Sequence, residues 1–178
     1  MRESKVILYI AMSLDGYIAK EDGDITWLSM VDTPGEDYGY SAFIKDVGTI
    51  IMGRKTYEKV LSIGSEYLHR DKTGYVLSSS RTGTEENMTF YSGDLSELIA
   101  NTKLEGKGHI FIDGGAEVVH AMLAQRLIEE CVISIIPVLL GEGIRLFRDG
   151  YPETKLKLLS SEAFASGLVQ LRYECLNV

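Results

Sequence analysis

Four short stretches of this 178-residue chain place glycine, hydroxyls or charge where an apolar run ends. In "TIIMGRKTYEKVL" the apolar residues stop at Gly53, and Arg54, Lys55 and Thr56 follow. Glycine lets backbone approach a ligand. The free N–H groups and positive dipole end of a helix opening there attract an anion. Arg54 can fork two hydrogen bonds onto a phosphate, and Thr56 can add a hydroxyl contact. The second stretch is Leu77, Ser78, Ser79 and Ser80 with Arg81, a strand ending in three hydroxyls and a cation. The third is "IDGGAE", with Gly114 and Gly115 ahead of Ala116 and Glu117; the fourth runs from Ala11 through Ser13 and Asp15 into Gly16. Each alone reads as an ordinary turn. Together, in a chain of net charge −8, they point to the phosphates of a nucleotide. Neither GxGxxG nor GxxxxGK[ST] occurs, so the usual dinucleotide fingerprint and the P-loop are both missing.

The elements that must position these turns alternate. "KVILYIAM", "TIIMG", "GYVLSSS", "NMTFYSG", "GHIFIDGG" and "ECVISIIPVLLG" read as strands, several apolar throughout, as strands buried on both faces are. "RKTYEKVLSI", "DLSELIANTK" and "AEVVHAMLAQRL" read as helices, the second capped by Asp94 or Ser96. "GEDYGYSAFIKDVG" reads as a further helix, with Glu36 and Asp37 in its first turn, where the dipole favours acids. "SLDGYIAKEDGDITW" is a long loop with room for a short strand in its middle. The last 24 residues read as two antiparallel strands split near Gly167. This rhythm predicts an α/β fold of three layers, αβα: a mainly parallel twisted sheet with an antiparallel C-terminal edge. The chain, 1–178, is expected to form one domain. In open parallel sheets ligands bind beyond the carboxyl ends of the strands, where all four turns fall.

Composition removes other classes. The acidic balance argues against general nucleic-acid or membrane-surface binding. No apolar run is long enough to span a bilayer, and the N-terminal apolar run reads as a core strand rather than a signal peptide. Cys131 and Cys175 lack CxxC spacing and read as buried free thiols of a cytoplasmic protein. His69, His109 and His120 are scattered, so no metal site is expected.

"VILYIAMSLDGYIA", "IIMGRKTYE", "YVLSSS" and "IFIDGGAEVVHAML" stand in the order and spacing of the dihydrofolate reductase superfamily, which the chain resembles over nearly its whole length. "SLDG", "DGG" and "PVLLGEGIRLF" (Pro137 to Phe147) resemble one branch of it. That branch holds the reductase domain of bifunctional riboflavin-biosynthesis deaminase-reductases and its stand-alone relatives. The resemblance implies an NADPH-dependent reductase. Gly53, Arg54, Lys55 and Thr56 would hold the pyrophosphate and the 2′-phosphate side. Ser78 and Ser79, after Leu77 and with Arg81 nearby, would meet the adenosine 2′-phosphate. Gly114 and Gly115, with the amides of Ala116, Glu117 and Val118, would carry the nicotinamide-side pyrophosphate, and Ala11 and Ile18 would frame the nicotinamide. A strained, cis-prone peptide around Asp113-Gly114-Gly115 and a homodimer are also implied.

Hydride transfer is the cofactor's own reaction; the protein supplies position, a dry pocket and a proton. Two acids are candidates. Asp15 follows the first strand and, with Ser13, would face the nicotinamide side as a substrate or proton-relay group. Folate-reducing members use an acid on the helix before the GR-x-T strand; counting back from Met52 puts Asp37 there, whereas aligning on Phe43 puts Gly39 there. Trp27 either lines the substrate mouth or anchors the loop. Two departures from the branch bear on the substrate: Tyr17 stands where a lysine is common, and "SIGSEYLHRD" replaces a D-x-P-x-L stretch. Ala116-Glu117 replaces the basic residue of folate reducers. A ribosylaminopyrimidine phosphate, a folate or pterin, or no substrate at all on a decayed nucleotide-binding module remain in competition.

Overall fold

The computed structural model describes residues 3–62 and 69–176. Six strands run parallel: β1 (Val6–Ser13), β3 (Val47–Gly53), β4 (Thr73–Leu77), β6 (Met88–Tyr91), β7 (His109–Gly114) and β8 (Glu130–Ile136). With β5 (Gly83–Glu85), β10 (Lys155–Ala163) and β11 (Val169–Leu176) they form one sheet of nine strands, ordered β10-β11-β8-β1-β7-β3-β4-β6-β5. The three added strands are antiparallel to their neighbours β6, β11 and β8. Their turn closes at Phe164–Leu168 around Gly167, whose φ of +88° suits glycine. The predicted mixed sheet is therefore present, with β5 as an edge that its "GTE" composition did not announce.

Strand alternation divides the core. Ile110 and Ile112 of β7 pack with Val6 and Leu8 against α3 (Leu95–Glu105) and α4 (Ala116–Ala124). Phe111 turns to the opposite face, where it meets Tyr9, Ile50, Met52 and Val76 beneath α1 (Tyr40–Lys45) and α2 (Arg54–Ser62). These are the three predicted layers. Asp94, not Ser96, caps α3, its Oδ1 accepting from the Glu97 N–H at 3.0 Å.

Three boundaries differ from the sequence reading. The first helix opens at Tyr40, after Gly39 at φ +80°, so Glu36 and Asp37 precede it rather than lie in its first turn. Strand β8 stops at Ile136 because Pro137 has no N–H for the ladder, and beyond it the Val138 carbonyl accepts from the Leu14 N–H at 2.9 Å, just past the end of β1. The long loop does carry a short strand, β2 (Tyr17–Ala19), which pairs with β9 (Ile144–Arg145); a 3₁₀ helix spans Thr26–Val31. Most of "SIGSEYLHRD", from 63 to 68, lies outside the described residues. Among the described residues no helix is long and apolar enough to cross a membrane.

Candidate active site

Register brings three of the four turns to one level. Gly53 pairs with Leu77, and Met52 with Gly114. The turns after β3 and β7 also touch: the Gly115 N–H donates to Thr56 Oγ1 at 2.9 Å. A Cβ on Gly115 would sit 3.2 Å from that oxygen, and one on Gly53 would sit 3.2 Å from Val118 Cγ2, so both glycines permit a close approach that a side chain would wedge apart. The Gly114–Gly115 peptide is cis, as expected from the motif. Helix α4 has no side-chain N-cap, and Gly115 carbonyl receives Val118 and Val119 N–H, each at 3.1 Å. By their place in the first turn, the Ala116 and Glu117 amides have no intrahelical acceptor.

The cations around these turns are held in unequal ways. Arg54 pairs with Glu58 at 2.8 Å, and Lys55, 83% exposed, stands 4.0 Å from Glu117, so both remain at the surface above the helix starts. Arg81 is pinned: it pairs with Glu85 and lies 4.1 Å over the Phe90 ring. Ser78 is buried, and its Oγ accepts from the Arg81 N–H at 3.0 Å and the Ser80 N–H at 3.3 Å. Its oxygen shapes the turn, while Ser79 is exposed beside it. Leu77 packs on the α3 and α4 side of the core.

The two predicted acids do not point where the sequence reading put them. The Ser13 hydroxyl donates to Asp15 Oδ1 at 2.5 Å, Leu140 N–H donates to the same oxygen at 3.1 Å, and Gly141 N–H donates to Oδ2 at 2.7 Å. The Ser13 hydroxyl, then the two backbone donors, hold the Asp15 carboxyl down at about 2. Asp15 is therefore a loop clamp with no proton to give at neutral pH. It joins the "SLDG" turn to the "PVLLGEG" turn, with β2–β9 pairing and Arg145 4.7 Å over the Tyr17 ring alongside. Buried Ser13 also accepts from the Tyr17 N–H at 2.9 Å, which leaves it facing its own turn. Asp37 accepts from Gly39 N–H at 2.9 Å and Ser41 N–H at 3.0 Å at an exposed position, so it fixes the start of α1. Hydrogen bonds from Ser41 and then Gly39 lower its pKa. Trp27 is the loop anchor: it is buried with Val31, Ile136 and Leu168. Ile18 packs against the core beside Ile10 and Met12, while Ala11 belongs to the Trp27 cluster.

The acid that does face the strand ends is Asp113, which the sequence reading met only as a neighbour of the cis peptide. It follows Ile112 on β7 and points to the α1 and α2 side, two residues beyond Phe111. Leu8 pairs with Ile112, so Tyr9 and Ala11 of β1 share that face with Asp113. The carboxyl keeps some accessible surface but is ringed by protein, and burial alone pushes it up to about 6. The Tyr40 hydroxyl of α1 stands close enough to feel its charge. Tyr9 is fixed in turn by Gln170, whose Nε2 donates to the Tyr9 hydroxyl at 3.1 Å and to Ser134 Oγ at 3.1 Å. An acid ending an otherwise apolar strand was the signal in "IFIDGG". A cleft of about 430 Å³ opens elsewhere, between Lys20, Glu21, Asp22, Leu140 and Glu142; its three acids suit a phosphate poorly. Among the described residues no cluster of His, Cys, Asp and Glu could hold a metal ion.

Residues 4–170 match the family model described as the RibD C-terminal domain. This chain belongs to the RibD C-terminal domain family. It is a reductase family of the riboflavin pathway, and the dihydrofolate reductase-like fold accords with it. The chain is similar to two uncharacterized proteins of Bacillus subtilis (strain 168). YwjB is 44% identical over 96% of this chain and 98% of its own length; YyaP is 27% identical over 97% and 96%. A provisionally assigned riboflavin biosynthesis protein from Shewanella sp. PV-4 superposes with a TM-score of 0.89 at 33% identity, covering 96% of this chain and 98% of that one. Acinetobacter baumannii RibD superposes with a TM-score of 0.73 at 18% identity, covering 97% of this chain and 58% of RibD, a likeness of fold.

Proposed function

We propose that this RibD C-terminal domain chain is an NADPH-dependent reductase that passes hydride to a small heterocycle of the ribosylaminopyrimidine class. The observation that carries the proposal is Asp113: a protonatable carboxyl beside the Gly114-Gly115 turn, which itself bonds the Thr56 turn. The residues present fit the dinucleotide, because the bare glycine backbone and uncapped α4 leave room and N–H donors for a pyrophosphate. Gly53 to Thr56 and the turn from Gly114 to Glu117 would hold it, the Val118 N–H being taken by the Gly115 carbonyl, with Arg54, Lys55 and Ser79 toward the extra phosphate. NADPH, when bound, supplies the hydride. With a value of about 6, Asp113 is ionised in most molecules at neutral pH, and the protonated fraction would present its proton to the substrate nitrogen, which makes a C=N bond a better acceptor. Tyr9, Tyr40 and Ala11 form the wall that orients the ring.

The test is a substrate panel of oxidised ribosylaminopyrimidines, pterins and folates with NADPH and then NADH, read as loss of nicotinamide absorbance. Turnover of a ribosylaminopyrimidine faster than any pterin supports the proposal. Preference for a pterin overturns the substrate class, and tight NADPH binding with no turnover overturns the enzyme. We also propose that two copies pair through the C-terminal edge, where Leu156, Leu158 and Leu159 of β10 and Leu176 of β11 are exposed. A monomer mass by light scattering at micromolar concentration would count against it. Cytoplasm suits the free Cys131 and Cys175, whose sulfurs are 3.7 Å apart and share a thiol hydrogen bond rather than a disulfide.

A further inference from the structure

Strand β5 is a three-residue edge of the sheet, yet two of the phosphate turns meet at its last residue, Glu85. Oε1 of Glu85 pairs with a terminal nitrogen of Arg81, from the turn after β4. Oε2 accepts from the Tyr57 hydroxyl at 3.2 Å. Tyr57 lies in the first turn of α2, the helix that opens with Arg54, Lys55 and Thr56. Arg54 and Tyr57 are three residues apart on that helix and so share a face. The β5–β6 hairpin fixes where the Glu85 carboxylate stands. Glu85 is opposite Met88 and Gly83 opposite Phe90, so the Glu85 side chain leaves the sheet on the side that α2 covers. The hairpin turns through Glu86, at φ +52°, and Asn87, whose Nδ2 donates to the His69 and Lys72 carbonyls at 3.1 and 2.8 Å. Gly83 has no side chain to cover the Phe90 ring. Arg81 covers it instead, its guanidinium carbon 4.1 Å from the ring centre, while the Tyr57 ring meets Phe90 in a T-shaped contact at 5.7 Å. A lone surface ion pair holds a side chain weakly. Here a carboxylate, a phenol and a ring hold the guanidinium together.

We propose that Glu85 is a positioning residue for NADPH: it holds the Arg81 guanidinium beside the first turn of α2, with N–H groups left over for the phosphate that distinguishes NADPH from NADH. The inference rests on NADPH as the cofactor and adds Arg81 to Arg54, Lys55 and Ser79. A guanidinium carries five N–H donors on three nitrogens, and the bond to Glu85 engages one terminal nitrogen. The other two nitrogens keep their donors for a phosphate, which an arginine can fork. An arginine already held in place loses less side-chain freedom when the phosphate arrives. The Glu85 carboxylate also repels that phosphate, but its side chain is 48% exposed and water and salt screen the repulsion. Positioning therefore outweighs repulsion. The short edge strand thus acquires a role: it carries the carboxylate that joins the turn after β4 to the start of α2.

Calorimetric titration of the chain with NADPH, NADH and adenosine 2′-monophosphate tests this. Glu85→Ala should weaken NADPH and adenosine 2′-monophosphate by about threefold to tenfold, and NADH by less than about twofold. Glu85→Gln keeps an acceptor of the same reach and should stay within about twofold of the parent for all three. In an Arg81→Ala background, Glu85→Ala should change NADPH binding by less than about twofold, because no guanidinium is left to position. If Glu85→Ala does not fold, Glu85→Thr takes its place with the same expected values, since threonine suits a strand and is too short to reach Arg81. Tighter NADPH binding in Glu85→Ala overturns the proposal, because the carboxylate then competes with the phosphate. Equal losses for NADPH and NADH overturn it too, as does a selective loss that survives Arg81→Ala. A parent that binds NADPH while Glu85→Ala changes nothing overturns the role of Glu85 and leaves the cofactor reading standing. A parent that binds neither dinucleotide overturns both.

Discussion

The Asp15 carboxylate and the Gly141 N–H are 2.7 Å apart, across 126 residues of chain. That bond, with those from Leu140 and Ser13, makes one unit of the first strand's end and the loop beyond β8.

Asp15→Asn keeps the shape of the clamp but offers one acceptor oxygen where the carboxylate offers two. Amide exchange at Leu140 and Gly141 should quicken by about tenfold or more as the hydrogen bonds to that side chain weaken. The pH profile of turnover should keep its shape, since a carboxyl held at about 2 is already ionised. The folded-state value lies below the ordinary 3.8, so the clamp's contribution is present above that value and fades as pH falls toward 2. Loss of a kinetic pKa in Asp15→Asn would return the residue to proton transfer.

Asp113 predicts the opposite pH dependence. Its folded value of about 6 lies above the ordinary 3.8, so the folded state binds the proton more tightly. Stability should therefore fall as pH rises from about 4 to about 6, and stay level above that. Asp113→Asn removes the cost of an enclosed charge. It should stabilise the protein by about 1–3 kcal/mol at pH 8 and by nearly nothing at pH 4, while turnover drops by about 10²-fold or more. Melting curves at the two pH values decide it: a variant no more stable at pH 8 than the parent means the carboxylate was well solvated.

Cofactor choice should depend on Arg54. Its only restraint among the hydrogen bonds of the described residues is the exposed Glu58, a pair of small energy that a phosphate can outcompete. Arg54→Ala should weaken NADPH by about 1–3 kcal/mol and NADH by much less. Calorimetric titration with both cofactors checks this, and equal losses would confine Arg54 to the shared pyrophosphate.

Glu130 on β8 is 2% exposed and accepts from Lys5 Nζ at 2.5 Å and from Arg172 Nε and a terminal nitrogen at 2.9 and 2.6 Å. Burial pushes its pKa up, but the hydrogen bonds from Lys5 and Arg172 outweigh that and leave it below 4.5. Both cations can turn to water, so Glu130→Gln should cost about 1–3 kcal/mol, less than breaking a pair buried at both ends. The loss should be full at neutral pH and shrink as pH drops through the acid range, where Glu130 itself protonates. Denaturant midpoints at pH 7 and pH 3 that shift equally would remove Glu130 from the acid-sensitive set.

Local pattern determined much of this protein. Apolar runs such as "KVILYIAM" and "IFIDGG" can be satisfied only as strands covered on both faces, and a glycine with polar neighbours after each run sets a turn at a strand's carboxyl end. Hence the parallel sheet and the meeting of Gly53 with the Gly114-Gly115 turn were legible, and so was the reductase family. The direction of each polar side chain was not. Asp15 bonds Gly141 and not the pocket, Ser78 closes its own turn, and Asp37 caps a helix that starts three residues later. Pro137 ended β8 although the residues beyond it are as apolar as those before. Asp113 on β7 and Tyr40 on α1 come from separate elements with no common spacing. A carboxylate or hydroxyl takes whichever donor the packed chain brings within about 3 Å. That donor sits far away in sequence, so periodicity reports where the backbone runs, and only the tertiary structure decides which polar atoms meet.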